Sequence, residues 1–289
     1  MMAYSSEDSM AYYADRLLKI RLLSGPSKSL ALTMAEISYA KAFLEHWGAI
    51  VDEIDPSDSE QSDFLVSIDA SVLLIEEKTK INNPERLAKR RQALDAGQVY
   101  SVSRPLVRDN RLSGVVRKAA SQLASSSLRP HDFRLIWFTG TGHEAEALFE
   151  QFIATVYGTT NIIEMGASHF RKCYFFRNSD FYRHAETIDG AIVAYVVGEA
   201  LSAKLCLNPL SPRASKLRTS ALLERFGTAV EDPETREREG EAFIVSGDLD
   251  RTNEGAVLAE IQEKYKTQPL MNFDLGYHSA AVAIPSDER

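Results

Sequence analysis

The chain has 289 residues, of which 44% are apolar and two are cysteine, and it carries a formal net charge of −8. That apolar content builds one large domain or two modest ones and is too high for wholesale disorder. Two cysteines, Cys173 and Cys206, exclude a disulfide framework, and the negative balance argues against a protein that coats nucleic acid indiscriminately. The opening residues, MMAYSSEDSM, hold no basic leader followed by an apolar stretch, and no uncharged apolar run reaches about 18 residues. A soluble, cytoplasmic protein that does not engage a membrane is expected.

In chain order, Ser29–Trp47 reads as a helix stopped by Gly48, and the polar loop Asp55–Ser62 follows. Asp63–Ser67 and Ser71–Lys78 read as strands, and Pro84–Gln98 as a helix with proline in its first turn and a basic face. Leu112–Ser126 is a second helix, Phe133–Thr139 a strand, and Glu144–Tyr157 a helix ending at Gly158. The texture then changes to short apolar runs at Asn161–Met165, Lys172–Phe176, Ala191–Val197 and Lys204–Leu207. A basic helix (Ser215–Phe226), a charged loop (Glu231–Gly240), a strand (Ala242–Ser246), a helix (Asn253–Tyr265) and a strand near Ser279–Ile284 complete the pattern. The expected class is α/β, with a core at 15–160 and an α+β extension at 161–289 serving substrate recognition or oligomerisation.

Charge is unevenly distributed. Between Lys78 and Pro130 there are twelve Lys/Arg against three acids, Glu85, Asp95 and Asp109, whereas residues 1–77 are biased toward acids. Carboxylates that hold a metal beside cations that hold phosphates are what a metal-dependent phosphodiesterase needs. The competing reading is a solvated basic helix.

The segment SDFLVSIDASVLLIEEKTK carries the chemistry. Two apolar runs joined by a short polar stretch pair as a hairpin. The midpoint between Asp63 and Glu76 falls between Asp69 and Ala70, so a turn there sets the two acids across from each other, with side chains starting about 5 Å apart. Asp-Ala supplies no glycine for positive φ, so a four-residue loop, Ile68–Ser71, is expected to keep the same pairing. Alternation puts Glu76 and Lys78 on one face and Ile75 and Glu77 on the other. A buried strand that runs into Glu-Glu-Lys needs partners for its carboxylates, and a divalent cation turns the repulsion of two facing acids into attraction. On the first helix, Glu36 projects between Phe43 and Trp47 inside the apolar arc and is the candidate third carboxylate.

This arrangement resembles the PD-(D/E)xK, or restriction-endonuclease-like, nuclease superfamily. There a helix glutamate precedes an Asp at the head of one strand and an (Asp/Glu)-x-Lys triplet follows on the next. Here the counterparts are Glu36, Ser62-Asp63 (with serine where the family has proline) and Glu76-Glu77-Lys78, and the likeness covers residues 30–140. It implies a central mixed sheet flanked by helices and a metal-dependent nuclease hydrolysing DNA phosphodiester bonds, with the choice of DNA over RNA left open by the sequence, in defence, restriction or repair. Asp63, Glu76 and Glu36 would hold Mg²⁺, with Mn²⁺ able to substitute, and Lys78 would sit beside the attacking water. Some members place a glutamine on the following helix near the metal, which points to Gln92. Arg90, Arg91, Arg104 and Arg108 are candidate phosphate contacts. Cutting both strands would call for a homodimer. The alternative is a nuclease-like fold that binds nucleic acid or a protein without cutting.

Other signals are weaker. Phe138–His143 (FTGTGH) lacks the third glycine of a nucleotide-binding turn, and Asp248 and Asp250 lack the later ligands of a calcium loop. His169 and Cys173 are four positions apart without a second ligand pair.

Overall fold

In the computed structural model the described residues are 17–21, 38–55, 61–80, 84–274 and 276–283. In chain order the first elements are β1 (Leu18–Arg21), α1 (Tyr39–His46), β2 (Ile50–Glu53), β3 (Phe64–Ile68) and β4 (Ser71–Lys80). Next come α2 (Pro84–Asp95), β5 (Tyr100–Pro105), α3 (Asn110–Ser125), β6 (Phe133–Gly140) and α4 (Ala145–Tyr157). They are followed by β7 (Thr160–Glu164), β8 (Arg171–Tyr174), α5 (Asp180–Arg183), β9 (Gly190–Val197) and β10 (Ala200–Leu207). The last are α6 (Ala214–Arg218), α7 (Ala221–Phe226), β11 (Val230–Glu231), α8 (Pro233–Arg238), β12 (Ala242–Ile244), α9 (Glu254–Tyr265), β13 (Leu270–Asn272) and β14 (Tyr277–Val282).

The fold is α/β. Two compact units interleave along the chain, one drawing on residues 1–78, 118–139 and 184–232 and the other on 79–117, 140–183 and 233–289. The division therefore does not follow a single boundary near residue 160.

The first unit is built on a mixed sheet in the order β1-β10-β9-β6-β4-β3-β2, with β11 beside β10. β2, β3 and β4 pair antiparallel in sequence. β6 runs parallel to β4, because the Asp132 N–H donates to Val72 O at one end and the Thr141 N–H to Lys80 O at the other (2.7 and 2.9 Å). Alternate residues from five strands meet in one core: Phe64, Val66 and Ile68 from β3; Leu73 and Ile75 from β4; Phe133, Leu135 and Trp137 from β6; Ile192 and Ala194 from β9; and Leu201, Ala203 and Leu205 from β10. Helix α1 closes this face with Phe43, whose ring lies 4.5 Å from Trp47, 5.0 Å from Trp137 and 6.2 Å from Phe226. β4 and β6 carry apolar residues on both faces because both faces are covered, as in a buried central strand.

Sequence expectations and structure differ at four places for identifiable reasons. Ser38 is extended and its side chain accepts from the Lys41 N–H, so it caps a helix that begins at Tyr39; residues 29–37 of the expected longer helix, Glu36 among them, lie outside the described residues. The hairpin has a two-residue turn, not the expected four-residue loop: Ile68 pairs with Ser71, and Asp69 adopts φ 52°. The Asp69 carboxylate accepts from Arg225 Nε and Nη2 at 2.8 and 2.7 Å, which holds the residue in a conformation that aspartate tolerates better than most. The single basic helix 215–226 is two short ones, restarted by Ser220 as N-cap. β5 has no counterpart in the sequence reading because its partner is β14, far away in sequence.

The second unit holds a four-stranded sheet, β12-β8-β7-β13, and the β14-β5 ribbon. α4 anchors it through Tyr157, whose ring packs edge-on against Tyr174 and Phe181. The helix ends at Gly158 in the left-handed region (φ 61°), where a Cβ would sit 2.4 Å from Arg177 O, so both the angle and the space demand glycine.

The aromatic cluster predicts that Phe43→Ala destabilises the chain by about 3–5 kcal/mol, because a ring is removed from a closed cavity. Urea denaturation checks this; a loss below about 1 kcal/mol would contradict the packing described.

Candidate active site

Asp63 stands immediately before β3, and the register of the hairpin (Phe64 with Ile75, Leu65 with Leu74) continues to put Asp63 opposite Glu76, the pairing expected from the midpoint of the segment. The Asp63 carboxylate is fixed by its Oδ2, which accepts from the Glu77 N–H at 2.7 Å. Glu76 is fully buried. Lys78, two residues on and on the same face, donates through Nζ to Glu76 Oε1. The second oxygen, Glu76 Oε2, is buried with no hydrogen-bond partner.

Glu77 shows what alternation does to its neighbour. It points to the opposite face, where its Oε2 accepts from Ser38 Oγ at 2.6 Å and its Oε1 from the Ala40 N–H at 3.0 Å. A carboxylate at the first turn of a helix satisfies orphan amides and complements the helix dipole. Glu77 thus ties β4 to α1 and leaves Glu76 and Lys78 to the other face.

On that face α3 supplies Gln122. Its Oε1 accepts from Lys78 Nζ at 3.0 Å, and its Nε2 donates to Gln61 O at 3.1 Å. Ser62 is buried and joins the same network: its N–H donates to Ser126 Oγ at 2.8 Å and its hydroxyl to Gln122 O at 3.3 Å. A proline at 62 would have no N–H to give to Ser126, so the departure from the Pro-Asp pattern has a structural use in this chain.

Burial pushes the Glu76 carboxyl up to about 7. The Lys78 hydrogen bond pulls it down, and the neighbouring Asp63 carboxyl pushes it up again. Two carboxyl groups on facing positions, one fully buried with an oxygen lacking a partner, form a set of hard oxygen donors that suits Mg²⁺. Mg²⁺ typically takes one or two protein carboxylates and keeps several waters, and among the described residues no group of three His, Cys, Asp or Glu side chains forms a metal cluster. Among the described residues, Asp63 and Glu76 are the two facing carboxyl groups that could hold an ion here.

Of the remaining expected residues, Gln92 is exposed on α2, and the glutamine that meets Lys78 is Gln122. Arg91 is exposed, and Arg90 Nη1 lies 2.9 Å from His143 Nε2. Arg104 and Arg86 both pair with the buried Glu144, at 3.2 and 3.1 Å, so the Arg104 charge already has a protein partner. Arg108 bonds to Asn110 and Ser113. No protein-family model, curated protein or solved structure matches the chain. No helix among the described residues is long and apolar enough to cross a membrane.

The raised Glu76 carboxyl has a measurable consequence for the metal-free protein. Between the ordinary 4.5 and about 7 the folded chain holds a proton that the unfolded chain has lost, so this group's contribution to stability falls as pH rises through that window. A shift of this size corresponds to about 3 kcal/mol above pH 7. Glu76→Gln, which keeps an acceptor for Lys78, is expected in EDTA to match the wild type near pH 4.5 and to exceed it in stability above pH 7 by about 1–3 kcal/mol. Urea denaturation across pH checks this, and a difference independent of pH would contradict it.

Proposed function

We propose that the chain is a Mg²⁺-dependent nuclease that hydrolyses DNA phosphodiester bonds at Asp63, Glu76 and Lys78. One observation carries the reading: the buried Glu76 carboxylate keeps an oxygen without a partner beside Asp63, with the Lys78 ammonium on the same face. An isolated structural glutamate in this position would cost several kcal/mol unless neutralised, and Lys78 engages only one of its oxygens.

Asp63 and Glu76 would hold the ion, which when bound supplies Lewis acidity toward a phosphate oxygen and a water of lowered pKa. The residues of the chain do the positioning. The Glu77 N–H sets the direction of the Asp63 carboxylate. Gln122 accepts from Lys78 and itself donates to the Gln61 carbonyl, so the ammonium is held by Gln122 as well as by Glu76. The Lys78 ammonium is then placed to orient a water by donating to it or to stabilise charge building on the phosphate. The placement of Asp at the head of one strand and Glu-x-Lys on the next supports a PD-(D/E)xK site. DNA as substrate, and a setting in defence, restriction or repair, rest on that resemblance.

The test is cleavage of plasmid and single-stranded DNA in Mg²⁺, Mn²⁺ and EDTA, with Lys78→Ala alongside. The wild type is expected to cut with either ion and not in EDTA. Lys78→Ala is expected to lose about 100-fold or more in rate while binding DNA about as well as the wild type. If both proteins bind alike and neither cuts, the chain is a binding module and the hydrolytic reading fails.

A further inference from the structure

A concave site lies wholly within the second unit and is independent of the nuclease reading. It is a cavity of about 340 Å³ whose wall includes Arg108, Arg177, Arg251, Phe176, Asn178 and Glu254. The three guanidiniums come from separate parts of the chain: before α3, after β8 and before α9.

Their partners are mostly neutral. Arg251 donates to three backbone carbonyls: Nε to Phe175 O, Nη1 to Leu249 O and Nη2 to Gly247 O, at 3.2, 2.7 and 2.9 Å. Those bonds fix the guanidinium without cancelling its charge. Arg108 donates to Asn110 Oδ1 and Ser113 Oγ at 2.5 and 3.0 Å. Of the three, only Arg177 has an ion-pair partner among the described residues, Asp274 at 2.5 Å. Arg108 and Arg177 each also keep a buried Nε–H with no acceptor. Glu254 stands in the wall, Asp274 pairs with Arg177, and the charge of Arg251 acts on the Glu260 carboxyl. Arg108 donates to neutral groups and a guanidinium does not lose its proton, so the counter-charge it favours is an anion.

A phosphomonoester carries about −1.5 to −2 at pH 7 and offers three acceptor oxygens, a match for guanidinium donors. The size of the cavity narrows the choice. At about 340 Å³ it has the volume of roughly ten waters and falls in the range of small-molecule sites, more than a lone phosphate fills. Phe176, 2% exposed, backs the wall, and Asn178 adds an exposed amide to the lining. We infer that this cavity binds a nucleoside 5′-phosphate group, seated on Arg108, Arg177 and Arg251. Its source is either a free mononucleotide or the 5′-phosphorylated end of a strand.

Isothermal titration of the full chain in EDTA tests this. The probes are AMP, GMP, CMP and UMP, the four unphosphorylated nucleosides, inorganic phosphate, and one oligonucleotide with a 5′-phosphate or a 5′-hydroxyl. At least one phosphorylated probe is expected to bind about tenfold or more tighter than its unphosphorylated form, and Arg108→Gln to weaken that binding about tenfold. Asn178→Glu, at an exposed position without a side-chain role in the fold, is expected to weaken it too, which keeps the test open if Arg108→Gln lowers the melting temperature. Preference for mononucleotides or for the phosphorylated strand supports the site and separates its two sources. Three results would overturn it: no phosphorylated probe binding more tightly than its counterpart, inorganic phosphate matching the best nucleotide, or affinity unchanged in both variants.

Discussion

The arrangement around β4 depends on one constraint: a carboxylate, Glu76, is buried in the middle of a sheet next to a second carboxylate, Asp63. Such a pair is unfavourable by itself, since burial penalises charge and the two groups repel. The chain answers part of this with the Lys78 ammonium and leaves one Glu76 oxygen without a partner. The surrounding bonds hold the pair in place. The Glu77 amide fixes Asp63, Gln122 braces Lys78, and Ser62 fastens the start of β3 to α3. A cluster this well held and this poorly neutralised fits a site that trades stability for a task at neutral pH.

Strand alternation divides the labour. Residues of β4 that point one way, Leu73, Ile75 and Glu77, meet the apolar core and the first turn of α1. Those that point the other way include Glu76 and Lys78, which meet Gln122 of α3. The large aromatic cluster around Phe43 is therefore on the face away from the Glu76 carboxyl. Packing there can hold the strand rigid without placing apolar bulk over the acids, which is how a site gains precision from an element whose other face is core.

Much of this local design is legible in the sequence. The register of the hairpin follows from where two apolar runs must pair, and it places Asp63 against Glu76. The sharing of a face by Glu76 and Lys78 follows from the pleat. What could not be read depends on distant partners. The tight turn at Asp69 is sustained by Arg225, and no local rule foretells that contact. Gln122 reaches Lys78 because β6 returns parallel to β4 and α3 lies between them in the chain, a tertiary outcome that no local pattern foretells. The interleaving of the two units is invisible for the same reason: β9 and β10 join the central sheet from beyond residue 160. The role given to Glu36 falls on residues outside those described.

The central claim is that the two facing acids are ion ligands. A crystal of the wild-type chain soaked in Mn²⁺ and measured at an energy where manganese scatters anomalously tests it most directly. The account predicts an anomalous peak within coordination distance of the carboxylates of both Asp63 and Glu76. A map without such a peak, with the second Glu76 oxygen engaged by a protein group instead, would contradict it.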